Sequence, residues 1–229
     1  MDAYISIDQG TTSSRAILFG ENGSILKTFQ KEFTQIYPQP GWVEHDPEEI
    51  WETTQLVLSK LYNSDVSKEH NIRGVGITNQ RETTILWDKK TGKPLYNAIV
   101  WQDRRTADFC KTLVGAGFDK TITKKSGLVV DPYFSASKIK WILDNVPDAR
   151  IKVDKGEICF GTVDSFLLWR LTDKKVHATD ATNASRTSLY NIEKLEWDNE
   201  LLEIFDVPRT IMPEVMDSNS NFGMISKNI

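Results

Sequence analysis

A run of polar residues between two apolar segments opens the chain and has the composition of a phosphate-binding turn. The run comprises Asp8, Gln9, Gly10, Thr11, Thr12, Ser13, Ser14 and Arg15. Gly10 can adopt a positive φ and lets the main chain approach a ligand closely, and the amides and hydroxyls that follow it are donors suited to phosphate oxygens. Asp8 is placed to hold a magnesium ion, directly or through water. Arg15 adds a fixed positive charge that can form paired hydrogen bonds with phosphate.

The same residues allow a plainer interpretation, an ordinary polar turn at the protein surface. They do not form the common P-loop, because no Gly-Lys-Ser/Thr sequence ends the run and a second strand, rather than a helix, follows it. The rest of the sequence therefore has to distinguish a phosphate site from a surface turn.

A second polar segment, 79–83, lies between two apolar segments and indicates a site at a sheet edge or in a cleft. Unpaired arginine and glutamate side chains would be costly to bury elsewhere. Arg81 supplies hydrogen-bond donors and Glu82 supplies acceptors, and a small polyol needs both because each of its hydroxyls donates and accepts. The alternative is that these two residues form a surface ion pair.

Two aromatic residues are placed to complete such a site. Trp101 ends an apolar segment just before a polar run, and Tyr133 precedes a predicted helix. Aromatic faces can cover the C–H side of a polyol while polar groups bind its hydroxyls. Because the chain has seven Trp and six Tyr, packing is the alternative for both residues. We assign Trp87, Trp141 and Trp169 to packing.

The remaining titratable residues predict no metal site. We interpret His45, His70 and His177 as surface or capping residues, since they share no metal-binding spacing. Three carboxylates are candidate acids or bases but suit helix caps equally well. They are Asp103, Asp164 and Asp180.

Composition excludes several classes of protein. The 229 residues predict one or two domains, and 39% hydrophobic with 26% charged residues is typical of a globular protein. A net charge of −4 points to neither nucleic acid nor an anionic membrane. No run of about 18 apolar residues is present, and Cys110 and Cys159 are isolated, which is typical of packed thiols in a reducing compartment. We therefore expect no membrane span and a cytoplasmic protein.

Apolar periodicity and turn signals predict the elements that position these residues. Strands are predicted at 3–7, 16–19, 25–33, 72–78, 84–88, 98–101 and 158–160. Asp46 at the N-cap and Pro47 at the first helical position begin an amphipathic helix to about Tyr62. Further helices are predicted at 106–113, 121–126, 135–145, 163–171 and 199–205. The tail, 212–229, is predicted to be a loop.

This order of elements predicts the fold class. Three strands in an antiparallel meander, followed by alternating helices and strands, indicate an α/β domain with a mixed sheet. A phosphate-binding hairpin at the start of such an order suggests, by architectural analogy, the ribonuclease-H-like domain of the actin, sugar kinase and Hsp70 superfamily.

Six stretches that span nearly the whole chain resemble, in order, the N-terminal domain of the FGGY carbohydrate kinase family. They are residues 6–15, 41–47, 76–83, 101–105, 133–145 and 183–187. The segment 80–83, together with Trp101, resembles the members that phosphorylate glycerol rather than pentuloses or gluconate. The resemblance implies that residues 1–229 form an N-terminal, glycerol-binding half and that the C-terminal ATP-binding domain is absent from this chain.

The resemblance also implies a role for each candidate residue. Arg81 and Glu82 would bind the hydroxyls of glycerol, and Trp101 and Tyr133 would form its apolar slot. Asp8 would act with Mg²⁺. The residues implied to bind the phosphates of ATP are Gly10, Thr11, Thr12, Ser13 and Arg15. The implied partners are glycerol and ATP or ADP, with no nucleic acid, and we expect a homo-oligomer at full length.

The implied reaction transfers the γ-phosphoryl group of ATP to glycerol and gives sn-glycerol 3-phosphate and ADP. The family's catalytic aspartate lies in a Gly-Asp-Gln motif, which this sequence lacks, so we expect no catalytic residue and little activity in this chain alone. Two alternatives stay open: an FGGY kinase with another polyol or sugar, and a non-catalytic domain that binds a partner in a nucleotide-dependent way. The predicted polyol pocket argues against the second, because a partner-binding ATPase needs none.

Overall fold

Alternating apolar residues in the first segment build the central sheet. The computed structural model describes residues 1–227, and in it Ala3, Ile5 and Ile7 are buried on one face while Tyr4 lies on the other. The first three strands form the predicted antiparallel meander. They are β1 (Asp2–Gln9), β2 (Ser13–Gly20) and β3 (Ile25–Glu32).

The other elements alternate along the chain. The remaining strands are β4 (Glu44–His45), β5 (Asn71–Asn79), β6 (Ile85–Asp88), β7 (Ala98–Ile99), β8 (Ile158–Gly161), β9 (Ala178–Asp180), β10 (Tyr190–Asn191), β11 (Glu196–Trp197) and β12 (Glu214–Met216). The helices are α1 (Pro47–Tyr62), α2 (Asp65–Lys68), α3 (Ala107–Gly115), α4 (Asp119–Ser126), α5 (Ser135–Asn145), α6 (Ala149–Asp154), α7 (Val163–Leu171), α8 (Ala181–Ala184) and α9 (Asn199–Ile204). A 3₁₀ turn lies at Arg209–Ile211.

The main sheet has the strand order β3-β2-β1-β5. β1 pairs antiparallel with β2 and parallel with β5, so the sheet is mixed, as predicted. At the end of the parallel pair Asp8 lies beside Thr78 and Gln9 lies beside Asn79. The polar turn after β1 and the polar segment after β5 therefore both lie at the carboxyl ends of these parallel strands, where ligands commonly bind in α/β folds.

Helix α1 packs on β2 and β3, and its sequence explains where it begins. The Asp46 side chain accepts a hydrogen bond from the Glu48 amide at 2.9 Å, and Pro47 occupies the first turn. Ile50 and Leu61, on the apolar face, are completely buried. The predicted start and end of this helix are confirmed.

Two apolar cores lie on either side of β6. Ile85 and Trp87 belong to the core beneath the main sheet, together with Phe166 of α7. Leu86 belongs to the other core, which contains Ile139 of α5. Successive side chains of a strand face opposite sides, so this short strand contributes to both cores.

The predicted tail, 212–229, is wrong in part. β12 pairs parallel with β9, and Glu214 lies beside Ala178. A strand of three residues shows no alternation, and its partner is far away in the sequence. The one-turn helix α2 and the six-residue α6 were missed as well, since neither is long enough to repeat the helical period of apolar residues. Asn228 and Ile229 lie outside the described residues.

Both cysteines are buried free thiols, which confirms that they are packed. Burial raises the pKa of Cys159 to about 11, so the thiol is neutral at physiological pH. Within residues 1–227 no helix combines the length and apolar character needed to cross a membrane.

Candidate active site

The turn between β1 and β2 presents free backbone donors. The Gly10 amide closes the turn by donating to the Ser13 carbonyl at 2.9 Å. Across residues 1–227 the amides of Thr11 and Thr12 find no hydrogen-bond acceptor. The side chain of Gln35 donates to the Thr11 carbonyl at 3.0 Å and holds the turn from one side. The turn is therefore fixed while its amides remain available to an anion.

Two of the predicted phosphate-binding residues differ from expectation. Gly10 does not adopt a positive φ, so the turn does not use the conformational freedom that glycine offers there. A Cβ at this position would meet only the Ser13 carbonyl oxygen at 3.4 Å, an ordinary contact. The Ser13 hydroxyl is buried and accepts a hydrogen bond from Gln30 at 3.0 Å, whereas Thr12 is exposed. The part of Ser13 in phosphate binding stays a prediction.

Asp8 and Arg15 lie opposite each other in the β1–β2 pair and form an ion pair. Arg15 Nη2 is 2.7 Å from Asp8 Oδ2, and both side chains are partly exposed. The buried Nε of Arg15 has no hydrogen-bond partner in the part of the chain that the structure describes. Protein-bound Mg²⁺ commonly uses one or two carboxylates together with water and phosphate oxygens. A single carboxylate beside a turn with the donors predicted to bind phosphate fits that ligand set.

A buried network links this turn to the segment after β5. The Gln80 amide donates to the Gln9 carbonyl at 2.7 Å, and Gln80 Nε2 donates to the Gly10 carbonyl at 3.2 Å. Gln80 Nε2 also lies 3.2 Å from His45 Nδ1, and His45 Nε2 lies 2.8 Å from Gln35 Oε1. These contacts fit a neutral ring that accepts at Nδ1 and donates at Nε2. His45 thus supports the turn through two glutamines.

The prediction that the histidines are surface or capping residues is wrong for His45. This residue is completely buried, and burial lowers its pKa to about 4. His177 is half-buried, with its ring nitrogen 2.7 Å from the Phe160 carbonyl oxygen. The His70 ring contacts the Val66 carbonyl at 2.7 Å beside α2, as a capping residue does. The stretch 41–47 was the sequence signal that could have identified His45.

We expect acid to destabilise the fold as His45 becomes protonated. Its pKa in the folded chain, about 4, lies below the ordinary value of 6.5, so the unfolded chain binds the proton more readily in this window. Stability is therefore lost as the pH falls from 6.5 towards 4. Protonation of His45 should account for ~3 kcal/mol of this loss in the free energy of unfolding. Urea unfolding of wild type and His45→Gln at both ends of the window measures it.

The glutamine variant cannot titrate and should show the smaller difference between the two pH values. His70→Gln is the matched control, because its ring is only partly buried, and it should retain the wild-type difference. Identical pH dependence in wild type and His45→Gln would contradict the prediction.

Trp101 joins the turn to the predicted polyol site. Its backbone amide donates to Thr83 Oγ1 at 3.3 Å, and its indole Nε1 donates to Thr11 Oγ1 at 3.1 Å. The centroid of its ring lies 5.4 Å from that of Tyr133, with the two planes inclined by 53°. Both rings are half-buried. The structure thus brings together residues that the sequence assigned to two separate sites.

Glu82 and Arg81 occupy different environments. Glu82 is 3% exposed and has a left-handed backbone, with φ at 64°. A buried non-glycine residue in this conformation is strained, and such strain is concentrated at ligand sites. Arg81 is exposed, and its side chain has no ion-pair partner among residues 1–227. The alternative of a surface ion pair between the two is therefore wrong.

The partner of Glu82 is Arg186, to which the sequence analysis gave no role. Arg186 Nε donates to Glu82 Oε1 at 2.6 Å. The guanidinium carbon lies 4.9 Å from the centroid of the Phe134 ring and 5.8 Å from that of Tyr133. Arg186 therefore neutralises the buried carboxylate and contacts the aromatic side of the site. The stretch 183–187 carried the only sequence signal for it.

A buried arginine supports the turn that carries Trp101. Arg105 Nη2 lies 2.6 Å from Glu44 Oε1 and 2.8 Å from Asp103 Oδ2. Its guanidinium carbon lies 3.8 Å from the centroid of the Trp42 ring and 4.6 Å from that of Trp141. Asp103 is thus a structural anchor, and the assignment of Trp141 to packing is confirmed.

The other two candidate carboxylates also have structural partners. Thr179 donates to Asp164 at 2.6 Å, and burial raises the pKa of Asp164 to about 6. Asp180 caps α8 by accepting from the Asn183 amide at 2.9 Å. Asp180 is a capping residue, as the alternative stated.

Together these contacts form one site with two parts. The first part presents amide and hydroxyl donors beside an Asp–Arg ion pair, which suits phosphate oxygens. The second presents the buried Glu82 carboxylate and two inclined aromatic rings, which suits a small polyol. Within residues 1–227 no hydrogen bond or ion pair places the exposed Arg81 side chain against them. The hydrogen bond between Trp101 and Thr11 places the two parts in contact, and transfer of a phosphoryl group to a hydroxyl requires that proximity.

A mixed sheet opened by an antiparallel meander, with a phosphate-type turn at its edge, defines the class of the sugar kinases with an actin- and Hsp70-like fold. The model of the FGGY family of carbohydrate kinases, N-terminal domain, matches residues 3–229. The chain therefore belongs to the FGGY family of carbohydrate kinases. The family and the ribonuclease-H-like fold class predicted from the sequence are confirmed.

Similar proteins agree with this assignment. The glycerol kinase of Borreliella afzelii is 57% identical and glycerol kinase 2 of Thermotoga maritima is 56% identical, both over 229 residues. Each match covers 100% of this chain and 46% of the relative, so the chain spans about half the length of the curated relatives it matches.

Solved structures show the same fold. The structure of Plasmodium falciparum glycerol kinase with ADP has a TM-score of 0.95 at 37% identity and covers 100% of this chain and 46% of its own. The ligand-bound xylulose kinase of Lactobacillus acidophilus has a TM-score of 0.85 at 23% identity, covering 100% and 44%. The second likeness concerns the fold alone.

Proposed function

We propose that this chain forms the glycerol-binding part of an ATP-dependent glycerol kinase. The reaction would transfer the γ-phosphoryl group of ATP to glycerol and yield sn-glycerol 3-phosphate and ADP. The observation that carries the proposal is the 3.1 Å hydrogen bond from the Trp101 indole to the Thr11 hydroxyl. It joins a polyol-type slot to a phosphate-type turn.

In the polyol slot each residue has a distinct task. Arg81 donates to glycerol hydroxyls, and Glu82, neutralised by Arg186, accepts from them. Trp101 and Tyr133 cover the C–H side. An arginine, a carboxylate and two aromatic rings are the residue types that bind a small polyol.

The turn between β1 and β2 (the phosphate turn) binds the phosphates of the nucleotide. Free amides at Thr11 and Thr12, with the following residues Ser13 and Arg15 and the main chain at Gly10, bind the phosphate oxygens. Asp8 holds Mg²⁺, which when bound neutralises charge on the phosphates. Such chemistry rests on positioning and charge stabilisation.

The remaining parts of the proposal concern the whole enzyme. We propose that residues 1–229 correspond to the N-terminal half of the enzyme, since the chain covers 46% of the similar glycerol kinases, and that the other half supplies the adenosine-binding domain and the aspartate base. We place the enzyme in the cytoplasm as a homo-oligomer. The glycerol kinases that are 57% and 56% identical, and the relative solved with ADP, support glycerol and nucleotide as ligands.

A tryptophan fluorescence titration tests the proposal. Glycerol should cause a saturable change, and xylulose and gluconate should not. Arg81→Ala should weaken glycerol binding by about tenfold or more, because a hydrogen bond from a charged donor contributes ~1.5–3 kcal/mol.

Arg73→Ala is the matched control. Arg73 is an exposed arginine on β5 that pairs with Asp2 at 3.4 Å, away from the site. It should bind glycerol as wild type does. No saturable response in the folded chain, or an equal response to xylulose, would contradict the assignment of substrate.

A further inference from the structure

Lys138 is completely buried on α5 without a carboxylate partner. Its Nζ donates to the Tyr133 carbonyl at 2.6 Å and to the Phe134 carbonyl at 3.2 Å. No ion pair to Lys138 exists within the described range 1–227. In the sequence, Lys138 is marked only by its place in the stretch 133–145.

Fold stability does not explain this lysine. Burying an ammonium group without a counter-ion is unfavourable. The side chain also folds back towards the start of α5, where the helix dipole is positive and repels a cation. An apolar side chain of similar length would avoid both penalties. The two carbonyl groups that the ammonium binds are the better explanation.

Both carbonyl groups belong to residues of the site. The Tyr133 ring lies 5.4 Å from Trp101, and the Phe134 ring lies 4.9 Å from the guanidinium carbon of Arg186. The Tyr133 amide donates to Asp131 Oδ1 at 2.8 Å. The backbone of this short segment is thus held through its donor on one side and its two acceptors on the other.

We propose that Lys138 is a positioning residue, whose ammonium group fixes the Tyr133–Phe134 backbone and with it the angle of the Tyr133 ring in the slot. The inference rests on the proposed function, since it assigns this slot to glycerol. Lys138 itself touches neither substrate nor reacting atoms.

Four charged or titratable groups face Lys138, each from a different segment of the chain. They are Glu82, Asp103, Cys110 and Asp131. Burial outweighs the attraction of the carboxylates and lowers the pKa of Lys138 to about 7. Burial also raises the pKa of Cys110, so its thiol remains neutral in this range. The hydrogen bonds from Lys138 Nζ to the two carbonyls should therefore be strongest below pH 7 and weaken above it.

The first test needs no ligand. In chain labelled with 5-fluorotryptophan, the Trp101 ¹⁹F resonance can be assigned because Trp101→Phe removes it. In wild type this resonance should shift with a midpoint near pH 7, as the ammonium group loses its proton. In Lys138→Met it should stay constant over the same range. A wild-type Trp101 resonance that ignores pH would overturn the proposal, even if the variant failed to fold.

The second test measures glycerol affinity and stability together. One unit below the pKa of about 7, Lys138→Met should bind glycerol about tenfold more weakly. Two units above it the difference should shrink, because wild type has lost its ammonium group. The folded-state pKa is below the ordinary 10.5, so wild type gains stability as the pH rises from 7 towards 10.5 and the variant should lack that gain.

Lys138→Met should melt no lower than wild type below pH 7, because it no longer buries a charge. An equal affinity loss at both pH values with a lower melting temperature would indicate a merely structural role. Lys140→Met is the control, since Lys140 lies on the same helix but pairs with Asp144 and Asp206. It should change neither the pH dependence of glycerol affinity nor that of stability. If wild type binds no glycerol, the proposed function fails while the ¹⁹F titration still decides the role of Lys138.

Discussion

Replacing Arg105 with methionine should lower the free energy of unfolding by about 3 kcal/mol. Removing one partner of a buried ion pair typically costs ~3–5 kcal/mol. The lower end applies because the abandoned carboxylates keep other donors: Glu44 still accepts from Tyr96 at 2.8 Å, and Asp103 from the Val43 amide at 2.6 Å. Stacking on Trp42 is lost as well. Urea unfolding at neutral pH measures the change.

The neighbouring Arg104 provides a matched control. Its side chain is 54% exposed and pairs with Asp131 at 2.7 Å. An exposed ion pair contributes ~0–1 kcal/mol, so Arg104→Met should shift the unfolding midpoint far less than Arg105→Met. Equal shifts in the two variants would show that the buried guanidinium has no special part in holding the 101–105 turn.

Replacing Arg186 with methionine should affect both stability and glycerol affinity. The variant leaves the 3% exposed Glu82 carboxylate without its counter-ion, which should lower the free energy of unfolding by ~3 kcal/mol. Glycerol affinity should fall by about 30-fold, because truncating a buried, hydrogen-bonded charge pair at a binding site costs ~2 kcal/mol or more. Urea unfolding and the glycerol titration measure the two losses.

The double variant Arg186→Met/Glu82→Gln separates the two effects. It removes the unpaired charge, so stability should recover, while most of the affinity loss should remain because an uncharged amide oxygen accepts from glycerol more weakly than a carboxylate does. Arg209→Met is the control: Arg209 donates to the Trp197 carbonyl at 2.7 Å and to Asn199 Oδ1 at 2.9 Å, and neither partner belongs to the proposed slot, so the variant should leave affinity unchanged. Recovery of affinity in the double variant would count against Glu82 as a glycerol ligand.

Local sequence signals predicted the framework of the fold well. The meander followed from alternation in β1 and β2, and α1 followed from Asp46, Pro47 and a regular apolar face. These features depend on residues that are neighbours in the chain. The sequence therefore contains most of what determines them.

The supporting contacts of the site could not be predicted in the same way. Arg186 meets Glu82, and Asp103 meets the 42–45 segment, across more than fifty residues of chain, and no periodicity records such pairings. His45 was interpreted as a surface or capping residue because it shares no metal-binding spacing with the other histidines, yet it joins two glutamines at 2.8 and 3.2 Å. Residue types predicted which side chains face a ligand, and that remains a prediction, whereas no residue type or spacing predicted the contacts that support them.

The parallel pairing of β1 with β5 also constrains the order in which the chain can fold. The hairpin of β1 and β2 is local, whereas pairing Asp2 with Asn71 closes a long loop that contains α1. Contacts that close long loops bear a large entropic penalty before they gain any energy, and they slow folding. Gln80 can bond Gln9 only after this closure. During synthesis the turn after β1 therefore emerges early, but its link to the polyol slot must wait until the ribosome has released β5 and, after it, Trp101.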